Sequence, residues 1–222
     1  MRIVEVFNSI MGECGDTGQG AWTTFVRFAG CNLNCWGGCD TPQAMKANQG
    51  RKVSPSNLMM DIMLMAADKT NRILFTGGEP LLQDRLDDLL CMLPKGLHIS
   101  LETNGTLPFS DLILSYMVDC IIADYKLPST GMSDKMQPIA SFASLRGCDW
   151  IKYVIADKCD YEFAKSKAME IKKFGFKGKM AFSPKMGGDI SISPQELYGW
   201  MLKDGFFLPS LSIQIHKLIG CA

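Results

Sequence analysis

The sequence predicts an α/β fold built on a parallel sheet, and three observations carry that prediction. Short apolar, β-branched segments alternate with amphipathic helical ones along most of the chain. Polar and glycine-rich residues recur just after the apolar segments, where the carboxyl ends of parallel strands build sites. Finally, 222 residues with 47% hydrophobic content suffice for one sizeable core. Strands that alternate with helices imply parallel pairing through right-handed crossovers. No internal repeat, low-complexity tract or Pro-, Gly- or Ser-rich linker marks a boundary, so residues 1–222 are expected to form a single domain.

Ile3 to Phe7 is apolar and β-branched enough for a strand, and Thr23 to Ala29 reads as a second. Between them lies a loop too glycine-rich for a helix, carrying Ile10, Met11, Gly12, Glu13 and Cys14. Ser54 and Pro55 form a helix start, N-cap serine followed by proline at the first position, and Asn57 to Lys69 continues it. Leu58, Ile62, Met65 and Ala66 make one apolar stripe, which Met59, Met60 and Met63 widen into either core or a subunit contact. The apolar strand from Arg72 runs through Thr76 into Gly77, Gly78 and Glu79, with a helix expected to open at Pro80. A strand over Leu97 to Glu102, a turn at Asn104-Gly105, a helix around Ser110 to Met117 and a strand over Asp119 to Asp124 follow. A strand from Trp150 to Ala156 precedes a helix from Asp160 to Phe174 whose Tyr161, Ala164, Ala168 and Ile171 share one face. Gly175 stops it after Lys172 and Lys173, the expected polarity for a helix C-terminus. The remaining expectations are a strand over Lys179 to Ser183, a loop over Pro184 to Asp189, a helix over Pro194 to Leu202 and a last strand over Ser210 to His216.

Lys plus Arg and Asp plus Glu each total 23, so no electrostatic footprint points to nucleic acid or an acidic membrane, and small molecules are the expected partners. The longest apolar run, Leu58 to Ala67, is interrupted by Asp61 and is too short to cross a bilayer. Nine cysteines, an odd count, in a chain without a signal-peptide pattern suit a reduced, cytoplasmic protein.

The chemistry-bearing stretch is Cys31-Asn-Leu-Asn-Cys35-Trp-Gly-Gly-Cys39-Asp40-Thr41, directly after the second strand. Thiolates at this density suit zinc or an iron–sulfur cluster. A structural metal site normally closes with four protein ligands, so a trio implies either a distant fourth ligand, for which Cys14 is the candidate, or a position left open for chemistry. Glycines at a strand's carboxyl end, as at Gly77 and Gly78, let backbone groups approach a ligand closely. Arg27, among Phe25, Val26 and Phe28, is either the cation of a bidentate anion site or an outward-facing strand residue.

Taken together these motifs resemble the radical S-adenosylmethionine (SAM) superfamily, and more narrowly the 7-carboxy-7-deazaguanine synthase family of queuosine and deazapurine biosynthesis. The resemblance covers nearly the whole chain, through the segments Phe7 to Glu13, Phe25 to Leu33, Cys39 to Thr41, Thr76 to Gln83, Glu102 to Thr106, Asp124 to Gly131 and His216 to Leu218. It implies a partial (β/α)6-type barrel with parallel strands, in full or abbreviated form. Cys31, Cys35 and Cys39 would hold a 4Fe-4S cluster whose open iron chelates SAM. Gly38, Asp40, Gly77, Gly78, Glu79, Lys126, Ser183 and Lys185 would contact SAM.

The implied substrate is 6-carboxy-5,6,7,8-tetrahydropterin, with Ile10, Met11, Gly12, Glu13, Arg27, Thr76 and His216 around it. Glu13 and Lys126 are the implied catalytic groups, and Thr41 the protein ligand to Mg2+. The implied reaction is radical ring contraction with loss of ammonia, fed by an electron donor such as flavodoxin, in a protein expected to be a homodimer. Three departures stand out: the second cysteine spacing is three residues where two are usual, Met11 stands where glutamine is common, and Cys14 where glycine is common. Two other readings compete, a glycyl-radical-enzyme activase and a non-catalytic zinc-binding domain closed by Cys14. His98, in a strand, is expected to be structural.

Overall fold

The computed structural model describes residues 1–35, 39–108, 116–188 and 190–221. Its strands are β1 (Arg2–Ile10), β2 (Trp22–Phe28), β3 (Arg51–Lys52), β4 (Arg72–Gly77), β5 (His98–Thr103), β6 (Cys120–Asp124), β7 (Trp150–Ile155), β8 (Lys179–Pro184) and β9 (Ser210–Leu211). Helices α1 (Pro55–Ala66), α2 (Leu86–Met92), α3 (Ile139–Ala143), α4 (Lys158–Lys173), α5 (Pro194–Lys203) and α6 (Ile215–Ile219) accompany them. The strands form one sheet in the order β3-β1-β2-β4-β5-β6-β7-β8-β9. From β2 to β9 every pairing is parallel, as the alternation predicts.

The first two pairings depart from that rule. β1 runs antiparallel to β2, because the loop from residue 11 to 21 carries no helix and is too short for a crossover, and β3 pairs antiparallel on the other side of β1. The parallel strands are buried on both faces. Ile73, Phe75, Ile99, Leu101, Ile121, Ala123, Ile151 and Tyr153 meet the helices in the main core, while Met11, Cys14, Leu74, Cys120, Ile122 and Ala181 fill a second apolar cluster on the other face.

Local signals set the helix ends. Ser54 caps α1 through its hydroxyl on the Asn57 N–H, with Pro55 at the first position, and Ser193 and Glu196 close a capping box on α5. α1 stops at Ala66, short of Lys69, where the chain turns through Asp68 at φ 56°. Leu58, Ile62 and Ala66 are its buried stripe, whereas Met60 and Leu64 are 63% and 80% exposed.

Two expected elements take other forms. Pro80 opens only a single 3-10 turn, Pro80–Leu82, because the Glu79 carboxylate turns back onto the Leu81 N–H and Arg85 adopts a left-handed φ of 66° before α2 begins. The last strand ends at Leu211, and His216 lies on α6, which the Ile215 N–H anchors to the Gly12 carbonyl at 3.0 Å. Most of the helix expected over Ser110 to Met117 lies outside the described residues, as does Asp189 of the loop after β8.

Candidate active site

Two adjoining cavities open at the carboxyl ends of the parallel strands. The first is lined by Cys31, Cys35 and Cys39 together with Asp40, Gly77, Gly78, Lys126 and Lys185. The second is lined by Ile10, Met11, Gly12, Arg27 and His216. Glu13, Asp40, Thr41, Thr76, Glu102 and Gln214 belong to both. Of the residues implied for SAM, Glu79 and Ser183 are fully buried and stand behind the wall. Gly38 lies outside the described residues, with Trp36 and Gly37 of the same loop.

The cysteine end is built mainly by backbone. β2 delivers the chain to Gly30, whose N–H donates to the Ala44 carbonyl, and the Cys31 N–H donates to Met45. Gly78 and Glu79 close the opposite side by donating to the carbonyls of Phe28 and Gly30 at 2.9 and 2.8 Å. Gly77 adopts φ 120°, and a Cβ on it would collide with the Phe28 backbone, so no other residue keeps these two turns together. Asn104 bridges the two sides. Its Nδ2 donates to Cys31 Sγ at 3.5 Å and to Asn32 Oδ1 at 2.9 Å.

Glu79 serves this frame through its buried carboxylate, which accepts from the Asn104 N–H at 2.7 Å, Thr103 Oγ1 at 2.9 Å and the Leu81 N–H at 3.0 Å. Burial pushes its carboxyl up, and these donors recover part of that shift.

The thiols suit a cluster by their surroundings. Cys31 Sγ also accepts from the Leu33 N–H at 3.5 Å, and Cys39 Sγ from the Thr41 N–H at 3.4 Å. Amide donors to sulfur are among the features that tune cluster potentials. Burial raises the Cys35 pKa, and the Lys126 ammonium opposes that rise. Among the described residues no three His, Cys, Asp or Glu side chains gather closely enough to hold a single metal ion. Cys14, the fourth ligand a zinc site would need, is 5% exposed in the apolar cluster beside Met11 and Cys120, and burial drives its thiol pKa far up. That environment corrects the zinc-closing role considered for it.

Where the first cavity adjoins the second, its wall is built by charged side chains from scattered elements: Lys152, Asp124 and Lys126 line the first cavity, and Glu13 and Glu102 line both. Lys152, on β7, stands 2.6 Å from Glu13 Oε2, 3.3 Å from Glu102 Oε1 and 3.4 Å from Asp124 Oδ1. Glu13 Oε1 also accepts from Gln214 Nε2 at 2.5 Å, and Glu102 Oε2 from Thr76 Oγ1 at 2.8 Å. Lys126 Nζ donates to Asp124 Oδ2 at 2.7 Å. Burial opposes both charges of this last pair. Their attraction outweighs it, lifting Lys126 and holding Asp124 below the usual carboxylate range with help from Lys152.

Arg27 turns inward from β2, its side chain 15% exposed. Its Nε meets Glu5 at 2.8 Å, Nη1 donates to Thr41 Oγ1 at 3.4 Å, and the guanidinium lies over the Phe7 ring. The outward-facing alternative for Arg27 is thereby corrected. His216 lies against Gly12 so closely that a Cβ there would strike its ring. Asp40, whose side chain is partly exposed, accepts from Lys217 Nζ at 3.0 Å and Gln214 Nε2 at 3.3 Å; partial desolvation of its carboxylate is outweighed by these partners, which lower its pKa and tie α6 to the cysteine loop. His98 pairs with Asp16 at 2.8 Å, away from both cavities.

Lys152 and Gln214 lie outside every motif the sequence offered, and Asn104, within the segment Glu102 to Thr106, was given no site role. Lys152 had a visible signal, a lone charge within the otherwise apolar strand Trp150–Ile155. Gln214 had none, since it lies where a strand was expected.

The radical SAM superfamily profile matches residues 25–187. A 7-carboxy-7-deazaguanine synthase of Methanospirillum hungatei is 35% identical over 99% of this chain and 86% of its own length. The enzyme of that name from Clostridium acetobutylicum is 34% identical over 98% and 95%, and that from Thermoplasma acidophilum 33% identical over 99% and 97%. The crystal structure of QueE from Escherichia coli superposes with a TM-score of 0.66 at 19% identity, covering 96% of this chain and 93% of that one, which shows a shared fold. No helix among the described residues is long and apolar enough to cross a membrane. The profile and the near full-length identity agree: the chain belongs to the radical SAM superfamily and, within it, to the 7-carboxy-7-deazaguanine synthase family.

Proposed function

We propose that this protein converts 6-carboxy-5,6,7,8-tetrahydropterin to 7-carboxy-7-deazaguanine with loss of ammonia. The observation that carries the reading is a pair of adjoining cavities, one at the three cysteine thiols and one at Arg27 and His216, that share Glu13, Thr41 and Thr76 in their walls. As a radical SAM protein it uses a 4Fe-4S cluster and SAM. When bound, these supply the radical chemistry that removes hydrogen from C6 of the pterin and starts the ring contraction.

The chain's own groups bind and orient. Cys31, Cys35 and Cys39 hold the cluster, and the backbone of Gly77 and Gly78, with Asp40, Lys126 and Lys185, receives SAM. Glu79 and Ser183 support that edge from behind: Ser183 Oγ donates to the Ser212 carbonyl at 2.6 Å. Glu13 accepts from the guanidine-like edge of the pterin while the backbone from Ile10 to Gly12, Met11, Thr76 and His216 frame the ring. Arg27 pairs with the substrate carboxylate. Thr41 offers a hydroxyl to Mg2+, a hard cation that prefers oxygen. A one-electron donor such as flavodoxin reduces the cluster, and the reduced thiols suit a cytoplasmic setting.

The same reading includes a homodimer, supported by Met60 and Leu64, exposed one turn apart on α1. Light scattering that finds a monomer at every concentration removes this part. The glycyl-radical activase reading has no use for a ring-sized cavity walled by Glu13, Arg27 and Thr41.

The deciding experiment is anaerobic incubation of the reduced, reconstituted protein with SAM, Mg2+ and the carboxypterin, followed by mass analysis. The deazaguanine carboxylate is the expected product, with SAM recovered. SAM cleavage with the pterin untouched at saturation rejects the substrate.

A further inference from the structure

We propose that Lys152 is a positioning residue for the reaction, a permanent ammonium hub that aims the carboxylates of the ring-facing wall into the cavity. The inference rests on the function proposed above. Lys152 comes from the middle of β7, is 6% exposed as a residue, and lines the cavity beside Glu13, Glu102 and Asp124. Its ammonium lies within ion-pair distance of three carboxylates from three different segments, the loop after β1, β5 and β6, and donates a hydrogen bond to one of them, Glu102 Oε1 at 3.3 Å. A compact ammonium with rotatable donors fits such a divergent set, which the planar fork of arginine would not. Burial opposes its charge, yet Asp124, Glu102 and Glu13 outweigh burial and push its pKa well above the ordinary lysine value. It is therefore a fixed cation and not a proton acceptor.

The three carboxylates depend on Lys152 to different degrees. Asp124 keeps Lys126 at 2.7 Å, closer than Lys152 at 3.4 Å. Among the described residues, Glu13 and Glu102 keep the neutral donors Gln214 and Thr76. Removing the ammonium thus leaves the SAM side held and strips the charge partner from the two carboxylates that face the ring. A buried carboxylate without its partner loses its defined aim as well as its compensation. Lys152 acts through Glu13 and Glu102, and its loss should separate substrate recognition from SAM binding.

The test compares Lys152→Met and Lys152→Arg in the reconstituted holoenzyme, with SAM affinity measured by titration and the carboxypterin KM from product formation. Lys152→Met should raise the pterin KM by about tenfold or more while SAM affinity stays within about twofold. Lys152→Arg, which restores charge without the geometry, should recover part of the loss. If Lys152→Met does not accumulate folded, Lys152→Gln is read by the same two quantities. A pterin KM within about twofold of wild type, or equal weakening of SAM and pterin, overturns the inference. Wild-type enzyme that forms no product counts against the proposed reaction, whereas wild type with product and a Lys152→Met enzyme with unchanged KM counts against Lys152 alone.

Discussion

The two ends of the cavity solve the same problem, holding a small molecule still, with opposite materials. At the cysteine end the wall is main chain: Gly77 and Gly78 against Phe28 and Gly30, with amide hydrogens on Cys31 and Cys39. Toward the ring end it is charge, with Lys152 among Glu13, Glu102 and Asp124 where the two cavities adjoin and Arg27 against Glu5 and Thr41 beyond them. Backbone geometry is insensitive to pH and salt but intolerant of added atoms, whereas buried ion pairs tolerate small changes of shape and depend on every partner being present. The cofactor end should therefore fail in steps and the ring end by degrees.

The largest effect belongs to the thiols. Replacing Cys31, Cys35 or Cys39 with alanine should abolish the cluster and all turnover, read as loss of the roughly four irons and four sulfides per chain that this cluster type contains. Cys14→Ala should keep the full complement, since that thiol lies in the apolar cluster; loss of iron there would return it to the coordination sphere. Next comes Gly78→Ala, whose new Cβ would strike the Gly30 and Ala44 carbonyls. Overpacking of this kind costs about 1–3 kcal/mol, so a lowered melting temperature should accompany weakened SAM affinity. A variant with normal SAM affinity would show that the cofactor end is more pliable than its contacts indicate.

At the ring end, Arg27→Ala should weaken the carboxypterin by about ten- to a hundredfold, the usual scale for a charged hydrogen bond, with SAM affinity unchanged. Equal losses for both ligands would erase the distinction between the two ends. Thr41→Ala should leave SAM binding intact and lower turnover together with its Mg2+ dependence.

The smallest effect is on pH-dependent stability. Asp124 has its pKa lowered in the folded state, so it contributes stability that is present above its unfolded value, about 3.9, and is lost as pH falls through the folded one. Asp124→Asn should flatten the acid limb of a stability-versus-pH curve. A limb unchanged by the substitution would locate the acid sensitivity elsewhere.

The same contrast decides what could be read without coordinates. A wall made of backbone leaves a contiguous trace, because the residues that free the backbone must be adjacent: Cys31 to Thr41 and Thr76 to Pro80 announce the cofactor end. The alternation of strands and helices likewise implied parallel pairing, which holds from β2 onward. A wall made of side chains draws single residues from distant elements. Glu13 and Arg27 could be reached through their motifs, while Lys152 and Gln214 required knowing which strands adjoin. Where expectation failed, at Pro80 and after Leu211, a specific hydrogen bond replaced the expected element: the local bond of the Glu79 carboxylate to the Leu81 N–H in one case and the tertiary Ile215 to Gly12 bond in the other.

The bond between Gln214 and Glu13 joins residues 201 positions apart, while that between Asn104 and Cys31 spans 73. Contacts of such different range form in order, since closing the longer loop requires most of the intervening sheet to be in place. The cysteine end should mature early in folding, and the seam between α6 and the loop after β1 should be sewn last and unpicked first. Amide exchange should accordingly be faster around Gly12 and Ile215 than around Gly78 and Asn104.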